Sequence, residues 1–340
     1  MPEPLIWLTE DDVVSLVSLD DAIPALERGL RALGSGEAFN IAKALGSYGD
    51  GSSMHSLGSG APGLGYVGYK NWVHTKRGAT AMYVMFNAGD GSVAAVMEAA
   101  ALGQIRTAAM TGVGTRWLAP SDADEMALIG TGVQAITQVA AVNAVRPLRR
   151  VRVWGPTAEK RKAFVAKMAN QFPFAVSEAP TLQEAVSGAP LVTLVTRAKD
   201  PFLTAAMLER GAHLNAVGAI LPANAEFTQD VFDRAGWIGV DDVTGVQKAS
   251  REFIERFGSS NDWSAVQPLG QIIARNSSRP ADCDVSIFKA MGMGLSDLSV
   301  AIMALERARA RGIGRAIQHP VRAVPRWKDA AKTAVKEAIQ

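Results

Sequence analysis

The sequence predicts an α/β protein in which a doubly wound parallel sheet is inserted into an α+β domain. Three observations carry this. From about residue 125, short apolar runs alternate with helical segments, the texture of parallel strands joined by crossover helices. The run Gly130-Thr131-Gly132-Val133-Gln134-Ala135 stands where the first of those strands turns into the first of those helices. The chain before this region is different: one amphipathic helix, then glycine- and serine-rich strand-like segments. A last amphipathic helix follows the region.

The first helix is expected to start between residues 18 and 21 and to run to about 33. Ser18 and Asp21 have capping-box spacing with Asp in place of Glu, and Asp20 is a rival cap that would keep Pro24 in the first turn. Ile23, Leu26, Leu30 and Leu33 then recur at helical spacing, and Gly34-Ser35-Gly36 ends the helix. Residues 37–69 are too rich in glycine for a packed helix, so strands joined by loops are expected. Residues 79–100 read as a hairpin turning at Gly89-Asp90-Gly91. The alternating region then places strands at 126–130, 151–155, 191–196, 213–219 and 237–241. Helices are expected between and after them at 133–145, 158–171, 204–211, 223–235 and 244–258. Near-continuous apolar strands suit a sheet covered on both faces. The last helix, about 295–312, carries Leu298, Ala301, Ile302 and Leu305 and is expected to return to the first domain.

Length and composition bound the function. A chain of 340 residues suggests two domains, or one inserted into the other, and 48% apolar with 20% charged residues excludes a disordered or fibrous protein. The net charge of +2, from 35 basic and 33 acidic residues, is too small to argue for nucleic acid. The mildly basic stretch Arg322 to Lys336 reads as a solvated helix face. Cys283 is the single cysteine, which excludes an intramolecular disulfide; a reduced compartment fits, with Cys283 a buried bystander. The N-terminal MPEPLIWLTEDD lacks the pattern of a secretory leader, and no run of about 18 apolar residues occurs, so a cytoplasmic protein with no membrane association is expected. No two histidines stand at metal-ligand spacing, and no Ser-His-Asp set is defensible, so no metal is expected.

Gly130-x-Gly132-x-x-Ala135 follows an apolar strand and opens a helix, the context in which this pattern binds a dinucleotide in a Rossmann-like unit. Gly130 allows the tight turn, Gly132 lets the backbone approach a pyrophosphate, and Ala135 permits close helix–strand packing. The helix N-terminus adds N–H donors and a partial positive charge. The second strand should end beside the adenine ribose, where an NAD site usually carries Asp or Glu. Here it ends in Gly155-Pro156-Thr157, with Lys160 and Arg161 one turn on. That pair and the Thr157 hydroxyl suit a 2′-phosphate, so the cofactor is NAD or NADP with a lean to NADP.

Further segments extend the pattern over nearly the whole chain. They are Gly68-Tyr69-Lys70; Leu102-Gly103-Gln104-Ile105-Arg106-Thr107-Ala108-Ala109; Ile129 to Ala135; Asn215-Ala216-Val217-Gly218-Ala219; and Ser286-Ile287-Phe288-Lys289-Ala290-Met291-Gly292. In this order and spacing the chain resembles the ornithine cyclodeaminase/μ-crystallin family. The resemblance implies a homodimer whose substrate and dimerisation domain comprises residues 1–115 and 300–340, with the NAD(P)-binding domain at 116–299. It implies a small α-amino or α-imino acid as substrate. It makes Arg106 the clamp on the substrate carboxylate and Lys70 a contact to the carboxylate or the imine. Val133 and Gln134 fall at the pyrophosphate turn, Thr196 near the nicotinamide ribose, and Val217 and Gly218 facing the nicotinamide. Ala290 and Met291 would close over cofactor and substrate.

Residue chemistry agrees with these roles. A planar guanidinium binds a carboxylate bidentately, and a lysine does not replace it well. A lysine ending an apolar run, desolvated beside Arg106, becomes a usable acid–base group. Two departures matter. Ornithine cyclodeaminases carry an Asp two residues before a Pro, and Gly218-Ala219-Ile220-Leu221-Pro222 has Ile220 there. The family often has an Arg upstream of Lys70, where Lys43 is the one basic candidate in residues 41–54. Asp50 and His55 are expected on a loop surface, His74 at a strand end and His213 packed. The sequence therefore favours an NAD(P)-dependent oxidoreductase of α-imino or α-amino acids, as an imine reductase or an amino acid dehydrogenase. A cyclodeaminase with bound NAD and a non-catalytic nucleotide-dependent binding protein are the alternatives.

Overall fold

The computed structural model describes residues 3–327. The chain opens with β1 (Leu5–Leu8), α1 (Glu10–Leu16), α2 (Leu19–Gly34), β2 (Phe39–Asn40) and β3 (Ala44–Tyr48). Then come β4 (Ser52–Ala61), β5 (Tyr66–Thr75), β6 (Gly78–Asn87), β7 (Val93–Glu98) and α3 (Ala100–Leu118). The alternating region supplies β8 (Glu125–Ile129), α4 (Ala135–Val145), β9 (Arg150–Trp154), α5 (Ala158–Ala169), β10 (Ala175–Glu178), α6 (Leu182–Val186) and β11 (Leu191–Leu194). It continues with β12 (His213–Ala216), α7 (Asp230–Asp233), β13 (Ala235–Val240), α8 (Val243–Ala249), α9 (Arg251–Phe257), β14 (Val266–Pro268), α10 (Leu269–Ala274) and β15 (Val285–Lys289). The chain then returns through α11 (Gly294–Arg311) and β16 (Arg315–Ile317).

Two sheets result. The first runs β16-β1-β7-β6-β5-β4-β2, with β3 also on β4. Its long strands β4 to β7 are an antiparallel meander, because hairpin turns join them. The second runs β10-β9-β8-β11-β12-β15-β13-β14, and every pairing in it is parallel. The chain steps outward from β8 in both directions, which puts a topological switch point between β8 and β11, at the strands' carboxyl ends, where such sheets bind ligands.

Several helical expectations need correction. The predicted helix 204–211 is a single 3₁₀ turn at Ala205–Met207, and 223–235 shortens to α7. The stretch 244–258 breaks at Ser250, whose backbone is extended, giving α8 and α9. In each case local propensity yields to backbone that must bend around the strand ends. The start of α2 also differs. Ser18 takes the cap position, but its hydroxyl donates to the Asp21 carboxylate instead of accepting from the backbone. Asp21 is in turn paired with Arg307 of α11. Pro24 thus lies in the second turn. The basic stretch Arg322 to Lys336 has no regular structure as far as Trp327, and the rest of it lies outside the described residues.

What joins the sheets is helix packing. α2 buries Ile23, Leu26 and Leu30, each contributing about 1.5–3 kcal/mol by leaving water. α3 lies under both sheets and is buried nearly all round in its second half, from Ala108 to Thr115. Small residues let it approach closely: a Cβ at Gly112 would lie 2.7 Å from Ile23 Cδ1 of α2. α11 is buried on most of its length, from Gly294 to Leu305, and packs against α2, α3, β4 and β5. The face of the first sheet covered by α3 and α11 is thereby brought up to the carboxyl edge of the second.

Candidate active site

On the inner face of the first sheet, Lys70 stands between Leu57 of β4 and Tyr83 of β6. It is 5% exposed. Its ammonium donates to Asp297 Oδ1 of α11 at 2.7 Å. Arg106, from the first half of α3, brings its Nε to 3.4 Å from the same oxygen. Among the described residues the Arg106 guanidinium makes no hydrogen bond meeting normal geometry, and Asp297 is its ion-pair partner. Lys43 reaches in from the rim, its ammonium 5.2 Å from the centre of the Trp72 ring, with Lys70 5.3 Å from that same ring. Lys70 and Arg106 thus share one carboxylate, with Lys43 at the exposed rim, an arrangement that calls for a further anion.

The electrostatics follow from burial. The Lys70 ammonium is pushed below its ordinary range, first by loss of water; Asp297 opposes this, while Arg106 and Lys43 add to it. Lys43 is likewise lowered by desolvation and by Arg106. The Tyr83 phenol is held far above its usual range by burial and by the Asp297 charge. His55 lies in β4, not on a surface loop, and stacks on Trp72 with ring centres 4.5 Å apart. Desolvation, then Lys43 and His74, keep its imidazole lowered. Asp50 is on the surface, paired with Lys76, and His74 is exposed at the strand end.

Facing this cluster are the strand ends of the second sheet. Gly130 has φ +123°, and a Cβ there would lie 2.7 Å from the Val195 carbonyl oxygen, so only glycine fits. Gly132 has open space where a Cβ would be, and Val133 is 82% exposed. The turn therefore leaves its backbone clear at the N-terminus of α4, which fits a pyrophosphate. Gln104, two residues before Arg106, donates to the Val133 carbonyl at 3.2 Å and ties this turn to α3. At the other side, the loop after β15 passes close to the cluster. Gly292, with φ +87°, would place a Cβ 3.0 Å from Arg106 Nη1.

Other expected contacts are placed with differing clarity. Met291 is half-buried in the loop after β15, and Val217 is buried at the end of β12. The Thr196 hydroxyl and N–H both donate to Glu226 at 2.7 Å, so that hydroxyl's proton points into the protein. Glu226 also accepts from Gly218 and Ala219 N–H, each at 2.9 Å. Thr157 occupies the cap position of α5 and makes no capping hydrogen bond. Arg161 corrects an expectation. It is buried, donates to the Gly155 carbonyl at 2.6 Å and pairs with Glu178 at 3.1 Å. It is a strut for the strand end, so the lean to NADP rests on Lys160 and Thr157 alone. Cys283 and His213 are buried as expected.

Sequence reasoning missed the buried carboxylates that brace this region, among them Glu226, Asp241 and Asp297. Asp241 accepts from Met291 N–H at 2.8 Å and Gly292 N–H at 2.7 Å, which fixes the loop against Arg106. Burial pushes its carboxyl up to about 6. One signal was available for Asp297: it lies four residues before Ala301, on the apolar stripe of the last helix, where a charge needs a buried partner.

Comparison with known proteins places the chain in a family. The profile of the ornithine cyclodeaminase/mu-crystallin family matches residues 5–312. An uncharacterized cyclodeaminase of Sinorhizobium fredii is 30% identical over 324 residues, covering 90% of this chain and 97% of that protein. A Δ1-pyrroline-2-carboxylate reductase of Bacillus cereus is 32% identical over 233 residues, covering 67% of this chain and 71% of that protein. Among solved structures, the Δ1-pyrroline-2-carboxylate reductase of Thermococcus litoralis, in complex with NADH and L-proline, superposes with a TM-score of 0.85 at 23% identity. It covers 92% of this chain and 100% of that one. The chain belongs to the ornithine cyclodeaminase/mu-crystallin family.

Proposed function

We propose that the protein is an NAD(P)-dependent oxidoreductase that reduces an α-imino acid to the α-amino acid. The observation that carries this is the Arg106 fork, unbonded and set beside buried Lys70, across from an open dinucleotide turn. The guanidinium takes the substrate carboxylate in two parallel hydrogen bonds, and Lys43 adds charge from the rim. The Lys70 ammonium, lowered by burial, gives a proton from Nζ to the imine nitrogen. The turn at Gly130, Gly132, Val133 and Gln134 would hold the pyrophosphate, with Val217, Gly218 and Thr196 at the nicotinamide end. When bound there, a nicotinamide would supply hydride for the α-carbon. Met291 and Trp72 narrow the cleft and exclude water.

The cyclodeaminase alternative meets an obstacle here. Ile220 stands where a carboxylate would be needed and is 43% exposed. Glu226, the nearest carboxylate in sequence, is consumed by four donors.

The same reading covers the assembly. Residues 1–115 with the C-terminal part form the substrate side, and 116–299 the nucleotide side. The outer face of β2 to β5 exposes Phe39, Ile41, Tyr48, Met54, Tyr69 and Val73, and this apolar face is the homodimer surface. No described helix is long and apolar enough to cross a membrane. A cytoplasmic location belongs to the same proposal.

The test is loss of NADH or NADPH absorbance with Δ1-pyrroline-2-carboxylate, Δ1-piperideine-2-carboxylate, and pyruvate with ammonia or methylamine. Turnover that disappears in Lys70→Ala is expected. Cofactor binding without turnover on any of them would support the binding-protein alternative instead.

A further inference from the structure

Asp297 has no role in the reading above, yet it is the one carboxylate in contact with both residues on which that reading depends. It is 0% exposed. Its Oδ1 receives the Lys70 ammonium at 2.7 Å and lies 3.4 Å from Arg106 Nε. Its Oδ2 is buried and has no hydrogen-bond partner among the described residues. It sits in the first turn of α11, where the chain passes from the second sheet back to the first. A buried charge placed this way is costly unless its partners need it.

Building on the imine-reductase reading, we infer that Asp297 is the positioning residue of the site: it aims the Lys70 ammonium at the imine nitrogen and keeps it protonated until substrate arrives. The groups facing Lys70 are Asp297 from α11, Arg106 from α3, Tyr83 from β6 and Lys43 from the rim. Arg106 and Lys43 repel a proton on Nζ, Tyr83 is a neutral phenol, and Asp297 alone holds the proton there. In the step itself the proton leaves Lys70 Nζ for the imine nitrogen as hydride reaches the α-carbon. The neutral amine stays hydrogen-bonded to Asp297 and recovers its proton from water after the amino acid departs. Without Asp297, Lys70 would rest as the neutral amine, and the imine would find no acid.

Two readouts test this. The first needs no turnover. Lys70 carbamylation by cyanate, which attacks only the neutral amine, is followed by peptide mass spectrometry across pH 6.5–10 in wild type, Asp297→Asn and Asp297→Glu. Asp297→Asn should carbamylate at Lys70 roughly tenfold faster or more at pH 7.5, the change expected when an opposite charge at hydrogen-bond distance is removed. Asp297→Glu should stay close to wild type. The second is kcat against pH with Δ1-pyrroline-2-carboxylate and NADH. The alkaline fall of kcat should move to lower pH in Asp297→Asn, while Asp297→Glu, which keeps the charge but shifts its position, should lower kcat without moving that fall. An unchanged Lys70 labelling profile in folded Asp297→Asn overturns the inference, as does an alkaline limb that stays in place while the labelling profile moves. If Asp297→Asn does not fold, labelling of Asp297→Glu decides, since a profile displaced as far as that of unstructured lysine overturns it equally. Wild type that turns over none of the imines but still shows the labelling difference sinks the functional reading and leaves the Asp297–Lys70 linkage standing.

Discussion

The two sides of the cleft are built on opposite principles. The nucleotide side presents bare backbone: a glycine turn, the N-terminus of α4 and an exposed Val133, with nothing charged lining the turn itself. The substrate side presents side-chain charge, with buried Lys70 and half-buried Arg106 set against Asp297 and Lys43 at the exposed rim. The contrast matches the ligands. A pyrophosphate is common to every reaction with such a cofactor, and backbone N–H groups hold it without depending on neighbouring residues. A small imino acid offers one carboxylate and one nitrogen, so the protein must supply both charge and a proton at fixed places. The first kind of site tolerates loss of side chains but not added bulk; the second behaves the other way.

That difference can be broken from either side. The largest effect is expected at Arg106. Removing one member of a buried charged pair typically costs about 2–5 kcal/mol, so Arg106→Ala should lower kcat/KM by about that much and leave NADH binding, measured by fluorescence titration, intact. Arg106→Lys should recover only part of the loss, since an ammonium cannot form the two-pronged contact. On the other side, Gly132→Val should abolish NADH binding without changing Tm, because the added side chain enters open space. Gly130→Ala should lower both, since its φ of +123° and the Val195 carbonyl make any Cβ strained, at a cost of about 1–3 kcal/mol.

His213 opens β12 of the second sheet, fully buried and bonded to Ser286 and Asn215. Burial holds its imidazole down to about 3. The unfolded chain protonates this group near pH 6.5 and the native protein does not, so the stability it contributes is present above pH 6.5 and is lost as pH falls toward 3. The loss between pH 7 and pH 5 is about 2 kcal/mol. Asp241 works in the opposite sense: raised to about 6, it takes up its proton in the native state first, so stability returns as pH falls from 6 toward 4. Comparing His213→Gln with wild type by urea unfolding at both pH values isolates the histidine, and the variant should show a smaller loss. The smallest effect concerns Arg161. Held by Gly155 and Glu178, it should alter the NADPH-to-NADH preference less than about threefold when changed to Gln, whereas Lys160→Gln should move it more.

Legibility in the sequence divides along the same line. The glycine turn could be read because its chemistry is local: six consecutive residues contain the strand end, the turn and the helix start. Strands β8, β9, β11, β12 and β13 were readable because each is an apolar run bounded by turn residues. The short edge strands β10 and β14 were not, since three or four residues carry little pattern. The connections after β11 and β12 were misread as helices at 204–211 and 223–235 because their composition allows helix, while the residues that open these connections, Thr196, Gly218 and Ala219, donate their N–H groups to Glu226 in loops. Lys70 and Arg106 were legible through their segments, but their shared partner was not. Asp297 is 227 residues from Lys70, and no spacing rule spans that distance. His55 was placed on a loop because Gly49 to Ser53 suggested one, although strand pairing with Trp72 turns it inward.

If this cleft carries out net reduction of an imino acid, the hydride of the nucleotide must end on the α-carbon, and isotope transfer follows it there. The protein would be given Δ1-pyrroline-2-carboxylate and NADH or NADPH carrying deuterium at both C4 positions, and the amino acid examined by mass spectrometry beside the yield of oxidised nucleotide. One deuterium at the α-carbon with one oxidised nucleotide per amino acid formed is the predicted result, and it should vanish in Arg106→Ala. No label, or ammonia released from a diamino acid without any net change in the nucleotide, would contradict the account.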